Sequence, residues 1–313
     1  MRRRLFGAVL GLTLGVIVYG CGGAIETPSV PTESSIEADA GTKISYLGPE
    51  GTYTEEAAQF FFSDTGEFIP KDTVDDAISD VVDGVSDYAV IPQENTLGGA
   101  VTNYVDALMA TDGVYVVGEI VLPISQTLMG VPGTTIDEIK TVCSHAQGIK
   151  QTEEWRSEHM PSAVTEEKPS TAAAASYVAE QGDRTIAAIA APGAAELYGL
   201  EVLARNVQIT DANKTRFYVL SKAALSGEKN SRSVFLADCE ANRIDDIIVA
   251  IHDAGLELVT IHDRPEGSAL GRYRYEIETE DPDGITKEQL EKISGMESVR
   301  FLGCFNAVEK PVR

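Results

Sequence analysis

Thr215, Arg216 and Phe217, within the run Asn213 to Phe217, place a hydroxyl, a permanent cation and an apolar ring on consecutive residues. A guanidinium can grip a carboxylate through two parallel N–H bonds, a hydroxyl can donate to a departing oxygen, and a ring can wall a small pocket. That trio invites chemistry on a small anion. Each member also has a plainer reading: Arg216 in a salt bridge to an acid of its own fold such as Glu94, and Phe217 in the core. Four upstream segments carry further donors: Gly48 to Thr54, Pro92 to Thr96, Ser144 to Gln147 and Ser170 to Ala173. Thr52 and Thr54 offer hydroxyls, either to a ligand or to a helix cap, and Asn95 offers an amide to a substrate oxygen. Glu94 would repel an anion, so it belongs behind the contact layer. Ser144 is a contact candidate. His145 beside it is a proton source or a structural hydrogen-bonder, while Gln147 and Gln151 can orient their loop.

These residues need elements that deliver them. Ile44 to Leu47 reads as a strand, followed by a Gly-Pro-Glu-Gly turn and a helix over 55–62, and amides at such a helix start can hold a carboxylate. Val74 to Val82 is helical by spacing, and Tyr88 to Pro92 is a buried strand that leaves Glu94 and Asn95 just past its end, where open α/β sheets bind ligands. Gly98 and Gly99 precede a helix over 101–109. Apolar stretches over 114–128 predict paired strands crossing between lobes. Thr141 to Cys143 is a strand delivering Ser144 to a helix start. Ser170 and Thr171 repeat that geometry before the alanine helix 172–179, then 186–189 is a strand, and 207–210 leads back to the strand 218–220. The pattern is two α/β lobes with a cleft between them.

In their order and spacing, the five segments resemble the prephenate dehydratase family over about 44–220. The resemblance implies conversion of prephenate to phenylpyruvate with loss of water and carbon dioxide, or of arogenate to phenylalanine; the reading from another class is a solute-binding lipoprotein that keeps the cleft for an aromatic acid without turning it over. It implies a two-lobed catalytic domain resembling type II periplasmic binding proteins (43–225), Thr215 as the catalytic threonine, a small dicarboxylate substrate, and no cofactor or metal. It tips Thr52, Thr54, Asn95, Ser144, Ser170, Thr171 and Phe217 toward substrate contact, and Arg216 toward gripping a substrate carboxylate. Thr54 stands where the family usually has serine. A second module over 230–313 reads as strand 233–239, helix 244–254, strands 256–261 and 272–278, helix 287–294 and strand 299–305, a ferredoxin-like βαββαβ unit resembling an ACT domain. Such a domain binds L-phenylalanine through a Gly-Ala-Leu and a Glu-Ser-Arg-Pro segment. Here Ala241 to Ile244, with Asn242, replaces the first, and the second reads His262-Asp263-Arg264-Pro265. Pure dimerisation is therefore an alternative role, and family members assemble as homodimers or homotetramers.

The 313 residues are 43% hydrophobic, ample for two cores, and the formal charge of −24 repels phosphate backbones and argues against nucleic acid. Arg2 to Arg4 and the apolar run Leu5 to Tyr19 read as a signal (1–20), and Val18 to Cys21 looks like a bacterial lipobox with Cys21 lipidated. The run is short for a permanent membrane helix, the other reading. Residues 21–42 read as a flexible tether, giving an expected address at the cell envelope, anchored to the membrane. Cys239 and Cys304 are expected at opposite ends of neighbouring strands, beyond disulfide reach. Phosphate-loop, GxSxG and metal-spaced histidine patterns are absent from the sequence.

Overall fold

The computed structural model describes residues 36–225 and 230–311; residues 1–20, read above as a signal, and Cys21 lie outside them. Lobe 1 runs β1 (Lys43–Leu47), α1 (Tyr53–Phe61), β2 (Glu67–Lys71), α2 (Val74–Asp83), β3 (Tyr88–Asn95), β4 (Gly99–Ala100), α3 (Thr102–Ala110) and β5 (Tyr115–Pro123). Lobe 2 holds β6 (Thr127–Gly130), β7 (Thr141–Ser144), α4 (Ala146–Gln151), α5 (Glu153–His159), β8 (Val164–Glu167), α6 (Thr171–Gln181), β9 (Ile186–Ala190), α7 (Gly193–Leu197) and β10 (Glu201–Ala204). The chain then returns to lobe 1 as β11 (Lys214–Ser221). The cleft is therefore spanned by two crossings, one before β6 and one before β11. The expected strands over 114–128 exist but do not pair with each other: β5 joins the lobe 1 sheet and β6 the five-stranded lobe 2 sheet, order β10-β6-β9-β7-β8.

The last unit is β12 (Arg232–Glu240), α8 (Ile244–Asp253), β13 (Glu257–Pro265), β14 (Arg272–Glu280), α9 (Lys287–Ser294), β15 (Val299–Phe305) and a short β16 (Ala307–Glu309). Its βαββαβ order matches the sequence reading. Its sheet is not separate from lobe 1: β13-β14-β12-β15-β5-β11-β3-β1-β2 is one continuous path. The junction is Gly303 opposite Val116, where a Cβ on Gly303 would stand 2.0 Å from the Val116 carbonyl oxygen. One core cluster draws Val74, Ile78 and Leu108 from lobe 1 and Val234, Leu302 and Phe305 from the module, so apolar burial fuses the two. Cys143, Cys239 and Cys304 are free and buried, and Cys304 pairs with Ser233 at the opposite end of β12 from Cys239.

Local chemistry explains the elements nearest the cleft. Thr52 caps α1 by accepting from Glu55 N at 3.3 Å, and Ser170 caps α6 by accepting from Ala173 N at 3.0 Å. The β3–β11 ladder shifts register between Arg216 and Phe217: Phe217 sits opposite Pro92 and Arg216 opposite Glu94. This bulge accommodates a proline that cannot donate to a central ladder. It also flips side-chain parity, so that Pro92 and Asn95, three residues apart, line the same cavity.

Candidate active site

A cavity of about 450 Å³ lies between the lobes, walled from lobe 1 by the Leu47 to Thr54 turn, Asn95, Thr215 and Phe217, and from lobe 2 by His145, Gln147 and Pro169 to Thr171. Three helices present their starts to it, with Thr52, His145 and Ser170 as the cap residues of α1, α4 and α6. Free amides at helix starts carry partial positive charge and favour anions. Among the described residues no lysine or arginine lines this cavity, and Asp72 is its one carboxylate. An anion held here is met by amides, hydroxyls and helix starts.

Asn95 organises the floor. Its Nδ2 donates to Thr215 Oγ1 at 2.9 Å, Asn213 Oδ1 at 2.9 Å and the Lys214 carbonyl at 3.1 Å. Its Oδ1 accepts from Gly98 N at 3.0 Å and from Gln147 Nε2 at 2.9 Å, the latter a bond between lobes. Because Thr215 Oγ1 already accepts from Asn95, its own hydrogen is available to the cavity. Neutral amides extend the network: Gln151 Oε1 accepts from Gln126 Nε2 at 3.0 Å and from Asn213 Nδ2 at 3.1 Å, and Tyr53 donates to Gln126 Oε1 at 3.2 Å. Burial holds the Tyr53 hydroxyl well above its ordinary pKa, with Glu56 adding to the effect, so it serves as a donor. A second bond between the lobes lies outside the cavity lining, Tyr198 of lobe 2 donating to the Glu50 carbonyl at 2.7 Å.

Thr52, Thr54, Asn95, Ser170, Thr171, Thr215 and Phe217 all line the cavity, as do His145 and Gln147. Phe217 fills both roles offered to it, lining the cleft while packing at 2% exposure in the core beneath. His145 does not sit behind a serine contact; it caps α4 itself, its Nδ1 accepting from Gln147 N at 3.3 Å, which leaves Nε2 as the protonated nitrogen of the neutral ring. Two expectations are overturned. Ser144 is fully buried and donates to the Ile189 carbonyl at 2.7 Å, tying β7 to β9 beneath the cleft. Arg216 does not line the cavity, because residues adjacent on a strand point to opposite faces and Thr215 takes the cleft side. Its guanidinium donates to Glu94 at 3.2 Å, to Glu119 at 2.5 Å and to Glu278 of the module. Burial would lower its pKa, but Glu119 and Glu278 outweigh that and hold it above the ordinary value.

Sequence reasoning missed Gln126, Tyr104 and Asp72, single residues in segments without a local signature. In the module, Asp263 and Arg264 border a small cavity against α3, and Arg264 makes a bidentate pair with Asp106 of α3 at 2.6 and 2.8 Å. Pro265 ends β13, and Asn242 lies in a 3-10 turn before α8, outside that cavity.

A family model described as prephenate dehydratase matches residues 44–225. A protein named prephenate dehydratase from Lactococcus lactis subsp. lactis (strain IL1403) is 34% identical over 278 residues, covering 84% of this chain and 97% of its own length. The solved structure of prephenate dehydratase in complex with L-Phe from Arthrobacter aurescens superposes with a TM-score of 0.76 at 29% identity, over 85% of this chain and 90% of that one. A protein described as a novel type of quorum quenching acylase shares the fold at a TM-score of 0.73 and 26% identity, over 85% of this chain and 98% of that one.

Proposed function

Because the chain belongs to the prephenate dehydratase family, we propose that its interlobe cavity converts prephenate to phenylpyruvate, water and carbon dioxide. The observation that carries the assignment of roles is Thr215 Oγ1 accepting from Asn95 at the cavity wall, which leaves the hydroxyl free to donate to a ligand there. In the reaction the bond from the ring to its carboxylate breaks, its electron pair enters the ring, and the hydroxyl on the opposite ring carbon leaves as water with one proton from solvent. Thr215 donates to that departing oxygen and relays the proton. The aromatic product supplies the thermodynamic drive, so the site's task is orientation and proton delivery. The starts of α1 and α6, with Thr54, Thr171 and the neutral amides, hold the two carboxylates.

The acylase named for one structural relative needs a nucleophile or an activated water. Ser170, the serine lining the cavity, is engaged as the cap of α6, which favours the dehydratase reading. Incubation of the full chain with prephenate, followed by phenylpyruvate absorbance, tests it. Steady product formation is expected. Inertness toward prephenate, with turnover of arogenate or cleavage of an acyl group from an N-acyl substrate instead, overturns it.

Residues 232–305 are read as an ACT domain taking L-phenylalanine. The βαββαβ order and the L-Phe complex of the Arthrobacter relative support that reading. Arg264 and Pro265 carry the sequence match, and assembly as a homodimer or homotetramer goes with it. The envelope address and lipidation of Cys21 rest on residues 1–21, and intact mass of membrane-extracted protein tests them: a chain still beginning at Met1 overturns both.

A further inference from the structure

Arg216 points into the seam between lobe 1 and the module, and what it meets there is built. Glu119 of β5 and Glu278 of β14 are 1% and 0% exposed at their side chains, and each is bracketed by two guanidiniums. Arg216 of β11 reaches Glu119 and Glu278 from lobe 1. Arg232 of β12 reaches the same pair from the module, at 3.5 Å and 2.6 Å. Two residues along β14, Glu276 accepts from Gln93 Nε2 of β3 at 3.1 Å and from the Tyr218 hydroxyl of β11 at 3.0 Å. One module strand thus grips the two lobe 1 strands that carry Asn95 and Thr215.

Thr215 stands opposite Asn95 and Arg216 opposite Glu94, on adjacent rungs of one ladder. Since Thr215 and Arg216 project to opposite faces, a roll of β11 about its axis that moves one must move the other. Fixing the guanidinium therefore fixes the hydroxyl. A buried ion cluster is a poor source of stability compared with apolar packing, and this one leaves Arg216 Nε without a hydrogen-bond partner. Its location, one residue from the reacting group, points to orientation.

We propose that Arg216 is a positioning residue, clamped by Glu119 and the module's Glu278 so that Thr215 is held in register with Asn95, and that the 232–305 module is thereby a working part of the active site. The proposal rests on Thr215 acting in the dehydratase reaction. Glu278→Gln keeps shape and removes one charge of the clamp. With prephenate as substrate, kcat is expected to fall roughly 10- to 100-fold, the scale of an ångström's misplacement, while KM stays within about threefold. Arg216→Lys, which keeps the charge and loses the fork, is expected to fall between wild type and Glu278→Gln, and the double variant to lose no more than the worse single. Hydrogen–deuterium exchange over 213–217 reads the clamp without turnover and is expected to quicken in Glu278→Gln. If the wild type is active and folded Glu278→Gln matches it in kcat, the clamp is wrong and the dehydratase reading stands. If the wild type is inert, the dehydratase reading fails, and the exchange decides the clamp: unchanged protection overturns it.

Discussion

Replacing Glu276 by glutamine should make the protein more stable above neutral pH. Glu276 is 1% exposed at the seam between β14 and lobe 1, and burial pushes its carboxyl up to about 7 from an ordinary 4.5. Tyr218, Gln93 and Arg216 of lobe 1 pull the other way, while Glu278 adds to the rise, and His262 of β13 lies opposite in the ladder. Arg216 and Arg232 pair with Glu119 and Glu278, and Glu276 makes no ion pair of its own among the described residues. With a raised folded-state pKa, the group costs nothing below pH 4.5, where folded and unfolded chains are both protonated. Stability is lost as the pH climbs toward 7, since the unfolded chain releases a proton that the folded chain keeps. Above pH 7 the whole penalty applies, about 3 kcal/mol at roughly 1.4 kcal/mol per pH unit. Glutamine copies the protonated acid: its carbonyl can accept from Tyr218 and Gln93 as Glu276 Oε1 does, and its uncharged amide takes the place of Glu276 Oε2, which has no hydrogen-bond partner. Thermal and urea unfolding of Glu276→Gln and wild type from pH 4.5 to 8.5 should coincide at the acid end. At pH 8 they should separate by about 3 kcal/mol in the variant's favour, or roughly 5 to 10 °C in Tm. A variant equal to or weaker than wild type at pH 8 would refute the reasoning, because the ionised carboxylate would then be earning its place in the seam.

Thr215→Val keeps shape and removes the hydroxyl, so kcat should drop on the order of 10² to 10⁴ with KM little changed, whereas Thr215→Ser should keep most of the activity. Near-wild-type turnover in the valine variant would remove Thr215 from the mechanism. Gly303→Ala forces a methyl onto the Val116 carbonyl at the junction of β5 and β15, and overpacking against backbone should cost about 3 kcal/mol, read by urea unfolding. An unshifted midpoint would mean that the two strands can part without loss.

The module was legible in the sequence because its signals are local: the Lys287–Ser294 helix has its own Thr286 capping box, and Val299–Phe305 its own apolar run. Strands such as Val164–Glu167, exposed along its whole length, and Glu67–Lys71, with Pro70 inside, carry no such signal; parallel pairing to β7 and β1 makes them strands. The cavity lining was legible wherever a hydroxyl or amide follows a strand into a helix start, as at Thr52 and Ser170, which both line it. It was misread where three adjacent residues were assigned to one ligand. In a strand Thr215 and Phe217 share a face and Arg216 cannot join them, a conclusion available from the period of two alone. The Pro92 to Asn95 bulge was harder, since its parity shift arises only against β11. What the sequence withheld was the partner behind the strand. Glu278, 62 residues away along the chain from Arg216, turns an apparent substrate grip into a joint between domains, and only the continuous sheet places it there.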